Sequence, residues 1–204
     1  MNASLVHQAA SLLLTYPGPD WPARHRSVRA ALRPDTGGQA ALLLRFCTRV
    51  EEETPLALAA RYVATFDRSP RRTLHMTYYT DGDTRRRGGT LARLKARYRA
   101  DGWQPAPDEL PDHLPLMLEF AARVPASGRA LLTEHRAALE LLRLALEDYR
   151  SPYSEVLDAV CRTLPGPRPA DRAAARRLAR TGPPPLETVG LGPFPASASR
   201  GDRR

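Results

Sequence analysis

Apolar residues recur at intervals of three and four along most of this 204-residue chain, which is the period of a helix with one buried face. No stretch alternates apolar and polar residues for long enough to predict a β-strand. The pattern therefore predicts an all-α fold. Helices are predicted up to residue 16 and over residues 20–32, 39–50, 54–66, 84–98, 112–124, 128–149 and 153–164.

Residues at the helix starts add detail to this pattern. Thr54 followed by Pro55 is typical of an N-cap and a first helical position, and Asp20, two residues before a proline, fits the same scheme. Proline at position 115 is tolerated only in the first turn of a helix, where the amide groups lack intrahelical partners. The sequence therefore predicts Asp112 as the N-cap of the helix that contains Pro115.

Histidine and cysteine give little sign of a metal site or a disulfide. His135 lies within the apolar stripe of the helix predicted over 128–149, so we interpret it as a packed, hydrogen-bonded histidine and not as a ligand. Cys47 and Cys161 are far apart, and the chain has no CxxC motif and no His/Cys cluster. Both thiols are predicted to be small buried apolar groups.

Composition divides the chain into two parts. Residues 1–165 have the length and apolar content of one globular domain. Residues 166–204 hold eight arginines against three acids and so carry more than half of the net charge of +9. This tail, rich in Pro, Gly and Arg, is predicted to be largely disordered, allowing one helical turn near 171–180.

The beginning of the chain does not look like a targeting or membrane segment. The first 23 residues carry no Lys or Arg, and the longest early apolar run covers only residues 12–14. A signal peptide and a membrane span are therefore not expected, and we expect a cytoplasmic protein.

The most basic segment opens a predicted helix with three consecutive cations, Arg85, Arg86 and Arg87. Asp81 or Asp83 is predicted to cap this helix. Each cation at a helix N-terminus opposes the dipole by about 0.3–1 kcal/mol, and each interior glycine costs about 1 kcal/mol relative to alanine. Some further contact must therefore favour this helix start.

Two interpretations of that contact stay open. Arg85, Arg86 and Arg87 suit an anionic ligand or an acidic partner surface. Alternatively, the arginines pair with acids of the same domain, and Gly88 and Gly89 allow a close helix contact. A nucleic-acid-binding protein is the alternative function, but the aromatic residues are few and no helix-turn-helix or zinc-finger spacing is present.

An acidic cluster follows. Asp112 and Glu119 are seven residues apart, so a helix would place both on nearly the same face, beside His113. Such a carboxylate face with an apolar floor suits an amphipathic peptide that carries basic residues. A capping Asp with solvated acids is the alternative. A hydrolase using Asp112 and His113 would also need a nucleophile, a metal or a substrate clamp, and none is visible.

Four stretches together resemble a known family. They are LLLTYPGPDW (12–21), RYVATFDR (61–68), LHMTYYTDGDTRRRG (74–88) and ELPDHLPLMLEF (109–120). These segments resemble the nitrate reductase molybdenum cofactor assembly chaperones, the NarJ type within the wider TorD/DmsD family of redox-enzyme maturation proteins. TYYTDGDTRRRG is typical of the nitrate reductase branch, whereas the Pro-Asp-His element is shared with the wider family.

This resemblance implies a function and a partner. It implies an all-helical, single-domain chaperone that binds the N-terminal region of the apo catalytic subunit of respiratory nitrate reductase until the molybdenum cofactor is inserted. No catalytic activity, bound cofactor, nucleic-acid partner or membrane insertion is expected, and the protein would be a monomer or a weak homodimer.

The resemblance also assigns residues. The peptide-binding surface of the wider family corresponds here to Asp112, His113 and Glu119, and we hypothesise that His113 makes binding pH-sensitive near neutrality. Tyr62 and Phe66 match an aromatic element that we assign to the core. The Arg-rich tail departs from the acidic end typical of this branch, so no function of that end is carried over.

Overall fold

The computed structural model describes residues 2–33, 37–106, 108–166 and 168–180. The described residues form eleven α-helices and one 3₁₀ turn, with no β-strand among them, so the predicted all-α fold is confirmed. The helices are α1 Ala3–Leu14, α2 Trp21–Leu32, α3 Gly38–Val50, α4 Pro55–Phe66, α5 Tyr78–Asp81, α6 Arg85–Ala100, α7 Leu114–Arg123, α8 Pro125–Glu134, α9 Arg136–Asp148, α10 Tyr153–Cys161 and α11 Arg172–Arg180; the 3₁₀ turn is Pro70–Arg72.

Helix α1 lies at the centre of the packing. It contacts α7 most extensively and also α10, which in turn packs against α3 and α9. Small buried residues, Ala9 and Ala10, let its neighbours approach closely, and the Ser11 hydroxyl donates a hydrogen bond of 2.7 Å to the carbonyl of Pro115. The main hydrophobic core draws on residues from Val6 to Leu164.

An aromatic cluster fills part of that core. The rings of Phe46, Phe66 and Tyr62 surround Tyr153, and Phe46 and Phe66 each have a centroid 4.9 Å from that of Tyr153. Edge-on and tilted contacts of this kind add favourable energy beyond the area that they bury. The Tyr62 hydroxyl donates to the carbonyl of Leu14 at 3.0 Å. Tyr62 and Phe66 are therefore core residues, as predicted.

The helix predicted over 128–149 is in fact two helices that meet at His135, so the prediction of one continuous helix is wrong. The apolar period continues across the break, which is why the pattern did not reveal it. The Nδ1 atom of His135 lies 3.0 Å from the carbonyl oxygen of Leu131 in the preceding turn. The prediction that His135 is packed and hydrogen-bonded is confirmed.

The helix ends agree with the predictions in part. The Thr54 hydroxyl accepts a hydrogen bond from the amide of Ala57, with proline in the first turn of α4, as predicted. Asp20 occupies the N-cap position of α2 without a capping hydrogen bond and pairs instead with Arg24 at 3.0 Å. The predicted cap of α6 is wrong, because Thr84 and not an aspartate precedes that helix.

The remaining fold predictions concern the cysteines and the tail. Cys47 and Cys161 are buried and not disulfide-bonded, as predicted. A nine-residue helix, α11, stands where one helical turn was predicted. The rest of the tail, 181–204, lies outside the described residues, so the division at residue 165 stays a prediction. Within the described part of the chain, no helix is long and apolar enough to cross a membrane.

Helices α7 and α8 touch at a glycine. A Cβ atom on Gly128 would lie 2.2 Å from the Cα atom of Ala121, so no side chain fits without a backbone shift. We expect Gly128→Ala to lower the free energy of unfolding by about 1–3 kcal/mol through overpacking, as measured by urea denaturation. The matched control is Gly88→Ala, where the added methyl meets nothing within 4 Å. That variant should gain up to about 1 kcal/mol, and equal effects of the two substitutions would contradict the close contact.

Candidate functional site

Two loop segments are joined by a short antiparallel bridge in front of α7. His75 and His113 face each other in this bridge. The amide of Met76 donates to the carbonyl of Asp112 at 3.0 Å, and the amide of Leu114 donates to the carbonyl of Leu74 at 2.8 Å. The first amides of a helix have no intrahelical partner. The bridge supplies a hydrogen-bond partner for the first amide of α7. It also fixes the loop before α5 against the loop before α7.

The carboxylate of Asp112 lies at the centre of this arrangement and is 0% exposed. Its Oδ1 atom lies 3.1 Å from Nδ1 of His75. Its Oδ2 atom accepts hydrogen bonds from the amide of Thr77 at 3.3 Å, from the Thr77 hydroxyl and from Nη2 of Arg87 at 3.2 Å. Nε of Arg87 also donates to the Thr77 hydroxyl oxygen at 3.1 Å. We call Asp112, His75, Thr77 and Arg87 the Asp112 network.

The network holds Asp112 in its charged form. Burial alone would raise the pKa of this carboxyl, but hydrogen bonds from His75 and Thr77 and the charges of His75 and Arg87 together lower it to about 2. An ionised carboxylate can only accept hydrogen bonds. We therefore place a proton on Nδ1 of His75, so that this nitrogen is the donor. Asp112 is therefore a structural acceptor with no capacity left to act as a general base.

His113 precedes α7 directly and occupies its N-cap position, so the prediction that Asp112 caps this helix is wrong. The ring of His113 stacks on that of His75 with centroids 5.3 Å apart. Burial and the neighbouring His75 outweigh the attraction of Asp112 and lower the pKa of His113 to about 4. His113 is consequently neutral at pH 7, and the hypothesis that it titrates near neutrality is wrong.

The predicted carboxylate face is rearranged. Because Asp112 is buried, it cannot share an exposed face with Glu119, and that part of the prediction is wrong. Glu119 is partly exposed and pairs with Arg123 at 2.7 Å. Burial and the negative charges of Glu119 and Asp108 raise the pKa of Glu109, so both charges act on this carboxyl. We call Asp108, Glu109 and Glu119, with the 43% exposed Leu110 beside them, the acidic patch.

The three arginines that open α6 divide into two groups. Arg87 turns inward to the Asp112 network, whereas Arg85 and Arg86 are exposed. The ion pair between Arg87 and Asp112 explains how α6 tolerates cations at its start. For Arg87, the interpretation that the arginines pair with acids of the same domain is therefore correct. The predicted close contact at Gly88 and Gly89 is wrong, because within the described residues a Cβ atom on Gly89 would meet only its own helix and one on Gly88 would meet nothing.

Two members of the network, His75 and Thr77, were not identified from the sequence. Both lie within the stretch LHMTYYTDGDTRRRG, which was assigned to the family branch without any structural role. For His75 the available signal was a polar residue between two large apolar ones, Leu74 and Met76. Their partner lies 35 to 37 residues further along the chain, so local spacing could not reveal the contact.

The hydrogen bonds at this site disfavour proton transfer by Asp112. A hydrolase interpretation requires Asp112 or His113 to exchange protons, but Asp112 is saturated with donors and the Thr77 hydroxyl is bonded to it. Among the described residues, no group of three or more His, Cys, Asp or Glu side chains is placed to hold a metal ion. The acidic patch and the exposed Arg85 and Arg86 lie at the surface around this site, whereas the neutral imidazole of His113 is only partly exposed.

The fold is similar to that of a protein of known structure. A putative redox enzyme maturation protein from Archaeoglobus fulgidus superimposes with a TM-score of 0.60 at 20% identity, over 80% of this chain and 94% of that one. The fold is thus that of a redox-enzyme maturation protein. The nitrate reductase delta subunit family matches residues 29–159. The chain belongs to this family, and the resemblance found in the sequence is confirmed.

Two relatives show the extent of the match. A probable nitrate reductase molybdenum cofactor assembly chaperone, NarJ, from Bacillus subtilis is 34% identical over 165 residues, which are 80% of this chain and 90% of the relative. The nitrate reductase-like protein NarX of Mycobacterium tuberculosis is 42% identical over 161 residues, which are 78% of this chain. The chain spans only 24% of the length of that NarX protein.

The Asp112 network makes a prediction about stability. Asp112→Asn leaves Arg87 without its ionic partner, and we expect it to lower the free energy of unfolding by about 2–4 kcal/mol at pH 7. The pKa of Asp112 is lowered from 3.8 to about 2 on folding, so its stabilisation is complete above about pH 4 and is lost as the pH falls towards 2. The free energy of unfolding is measured by urea denaturation at pH 7, 4 and 3. The difference between Asp112→Asn and wild type should shrink as the pH falls below about 4.

A suitable control for this prediction is Glu134→Gln, which breaks the exposed ion pair with Arg97. Exposed pairs contribute roughly 0–1 kcal/mol, so this variant should stay close to wild type. A deficit of Asp112→Asn that is no larger than that of Glu134→Gln would contradict the network.

A second prediction concerns the effect of His113 on the pH dependence of stability. Its pKa falls from 6.5 to about 4 on folding, so the unfolded state takes up a proton first as the pH is lowered. Wild-type stability should therefore decline between pH 6.5 and 4. His113→Gln should show a shallower decline in thermal unfolding over the same range, and parallel pH profiles would show that the imidazole is not held neutral.

Proposed function

We propose that this chain is a chaperone that binds the apo catalytic subunit of respiratory nitrate reductase through the N-terminal region of that subunit. It keeps the subunit competent for insertion of the molybdenum cofactor and for assembly of the complex. The observation that carries this proposal is the match to the B. subtilis chaperone over 90% of that protein's length. We further propose that the chain acts in the cytoplasm, without catalysis or a bound cofactor, as a monomer or weak homodimer.

The geometry of the site supports a peptide-binding role. The Asp112 network fixes the loop before α7; His113 and residues 108–110 of the acidic patch lie on this loop, and Glu119 lies in α7 itself. Fixed groups lose less conformational entropy when a ligand binds. An acidic patch beside the exposed Leu110 suits an amphipathic segment with basic residues. Within this proposal Asp112 positions the surface, while His113 and Glu119 contact the client.

Arg85 and Arg86 are proposed to contact acidic groups of the same partner. Both are exposed at the start of α6, and Arg87 of the same helix is bonded to the Asp112 network. The helix dipole leaves the N-terminus of α6 with partial positive charge, which adds to the attraction for an anion. Arg87 is then the residue that anchors the basic segment, and its two neighbours provide the contact.

The test is capture of the client. A tagged form of the chain is co-expressed with the apo catalytic subunit, and the amount of co-purified subunit is measured. We expect Glu119→Lys and His113→Ala to reduce the apparent affinity by about tenfold or more, which corresponds to about 1.4 kcal/mol. The matched control is Glu52→Lys, which makes the same charge change at an exposed position in the turn between α3 and α4.

The outcomes separate the proposals. Capture that is unchanged in both site variants would remove the proposed contacts but leave the chaperone function in place. Failure of the wild-type chain to capture the subunit would remove the function itself. Binding to nucleic acid with a steep loss of affinity as salt is raised would favour the alternative function instead.

A further inference from the structure

Helix α9 ends in a turn that is unusual for the residue it carries. The amide of Arg150 donates to the carbonyl of Glu147, and the amide of Ser151 donates to the carbonyl of Leu146, both at 2.9 Å. This pair of hydrogen bonds is a Schellman motif, in which the position of Arg150 has left-handed backbone angles and is usually glycine. Arg150 has a φ of 55° and is the only non-glycine residue with a positive φ among the described residues.

The side chain of Arg150 is kept at a cost in stability. A residue with a Cβ atom is strained in the left-handed conformation, whereas glycine is not. The guanidinium group is exposed, and within the described part of the chain it has no ion pair or hydrogen bond that would offset this strain. Strained residues of this kind occur often at binding sites.

The next residue has an unsatisfied polar group. Ser151 is 4% exposed, and its hydroxyl makes no hydrogen bond to any described residue. Most buried hydroxyls are hydrogen-bonded, because the loss of their hydrogen bonds to water costs free energy. Two consecutive residues of one turn therefore carry hydrogen-bonding groups that the fold itself does not use.

A cavity of about 580 Å³ adjoins this turn. Arg150 and Ser151 line one side of it, and Arg61, Ala60 and Ala64 of α4 line the other. The two alanines lie one helical turn apart, so only methyl groups project from this part of α4. Cavities of about 300–1,000 Å³ are typical of sites for small organic molecules.

Arginines stand on both sides of the cavity. Arg61 donates from Nε to Glu53 at 2.9 Å, and within the described residues its two terminal nitrogens make no hydrogen bond. Arg72 stacks on Tyr149, which also lines the cavity, with its Cζ atom 3.7 Å from the ring centroid. With Arg150, three guanidinium groups thus surround the space.

The acids near the end of α9 are already paired with other arginines. Glu147 accepts from Arg143 at 2.6 Å, and Asp148 pairs with Arg172 at 2.7 Å. Asp67, which follows α4, is exposed and does not line the cavity. None of these three carboxylates therefore neutralises the arginines around the cavity.

Two helices end beside the cavity, and the partial negative charge of a helix C-terminus weakens the binding of an anion. This charge resides mainly on carbonyls that have no donor. Here Arg72 donates to the carbonyls of Thr65 and Ala64 at 2.8 and 3.4 Å, and the Schellman motif supplies donors at the end of α9. The arginines consequently dominate the charge of the cavity.

We propose that this cavity binds the phosphate monoester of a small organic molecule. Arg61 and Arg150 bind the phosphate oxygens, because the planar fork of a guanidinium group matches phosphate geometry. The Ser151 hydroxyl donates to the same group, and the organic part lies against the methyl groups of α4. None of these residues belongs to the Asp112 network or the acidic patch, and the site does not depend on the proposed function.

The test is isothermal titration calorimetry of the full-length chain with phenyl phosphate, inorganic phosphate and phenol as probes. Arg150→Gly removes a ligand-binding side chain and introduces the residue that the turn prefers. We expect its affinity for phenyl phosphate to fall at least about tenfold while its Tm rises above that of wild type. An arginine with a purely structural role would instead leave the affinity unchanged when removed.

Two further variants complete the design. Ser151→Ala removes a hydroxyl that has no partner in the fold, so its Tm should not fall, whereas its affinity for phenyl phosphate should fall about fivefold. The charge-matched control is Arg26→Gln, at an exposed position of α2 that makes no ion pair with a described residue. This control should bind as wild type does.

The probes decide the class of ligand. Wild type should bind phenyl phosphate at least about fivefold more tightly than inorganic phosphate, because the cavity also has apolar walls, and phenol should not bind measurably. The proposal is overturned if phenyl phosphate shows no saturable binding to wild type or binds Arg150→Gly equally well. Equal affinity for phenyl phosphate and inorganic phosphate would overturn the organic ligand, and an equal loss in Arg26→Gln would show a general effect of charge instead of a site.

Discussion

The carboxylate of Asp112 is completely removed from solvent, and a buried charge of this kind costs several kcal/mol unless its hydrogen bonds are satisfied. Here the donors come from His75, Thr77 and Arg87, on the segments before α5 and at the start of α6. Satisfying one carboxylate therefore fixes three parts of the chain relative to each other. The bridge between His75 and His113, the start of α7 and the orientation of Arg87 all depend on this compensation.

The sequence predicted the fold well, because helical periodicity is a local property and the apolar stripes are long. Thr54 as a cap and the buried Cys47 follow from local chemistry in the same way. The break at His135 was missed because the stripe continues through it. The N-cap of α7 was misplaced because the bridge to residues 74–76, a tertiary contact, decides where the helix begins.

The site was predicted only in part. The sequence singled out Arg87 and Asp112 as members of two separate charged clusters, with opposite roles. The structure joins them in one ion pair across 25 residues of chain, and no spacing rule could show this. Burial removes Asp112 from the surface where it was expected, and burial of His113 itself, together with the neighbouring His75, lowers the pKa of His113. The family resemblance identified the right segments, whereas the physical role of each residue required the contacts.

Helix α11 packs against α9 and is joined to α10 by ten residues, 162–171, and this connection has a kinetic consequence. A helix tethered so closely has an effective local concentration in the millimolar range. When α11 detaches from α9, the tether keeps it close, so it rebinds before it can diffuse away. The short connection thus makes the attachment of α11 independent of the protein concentration.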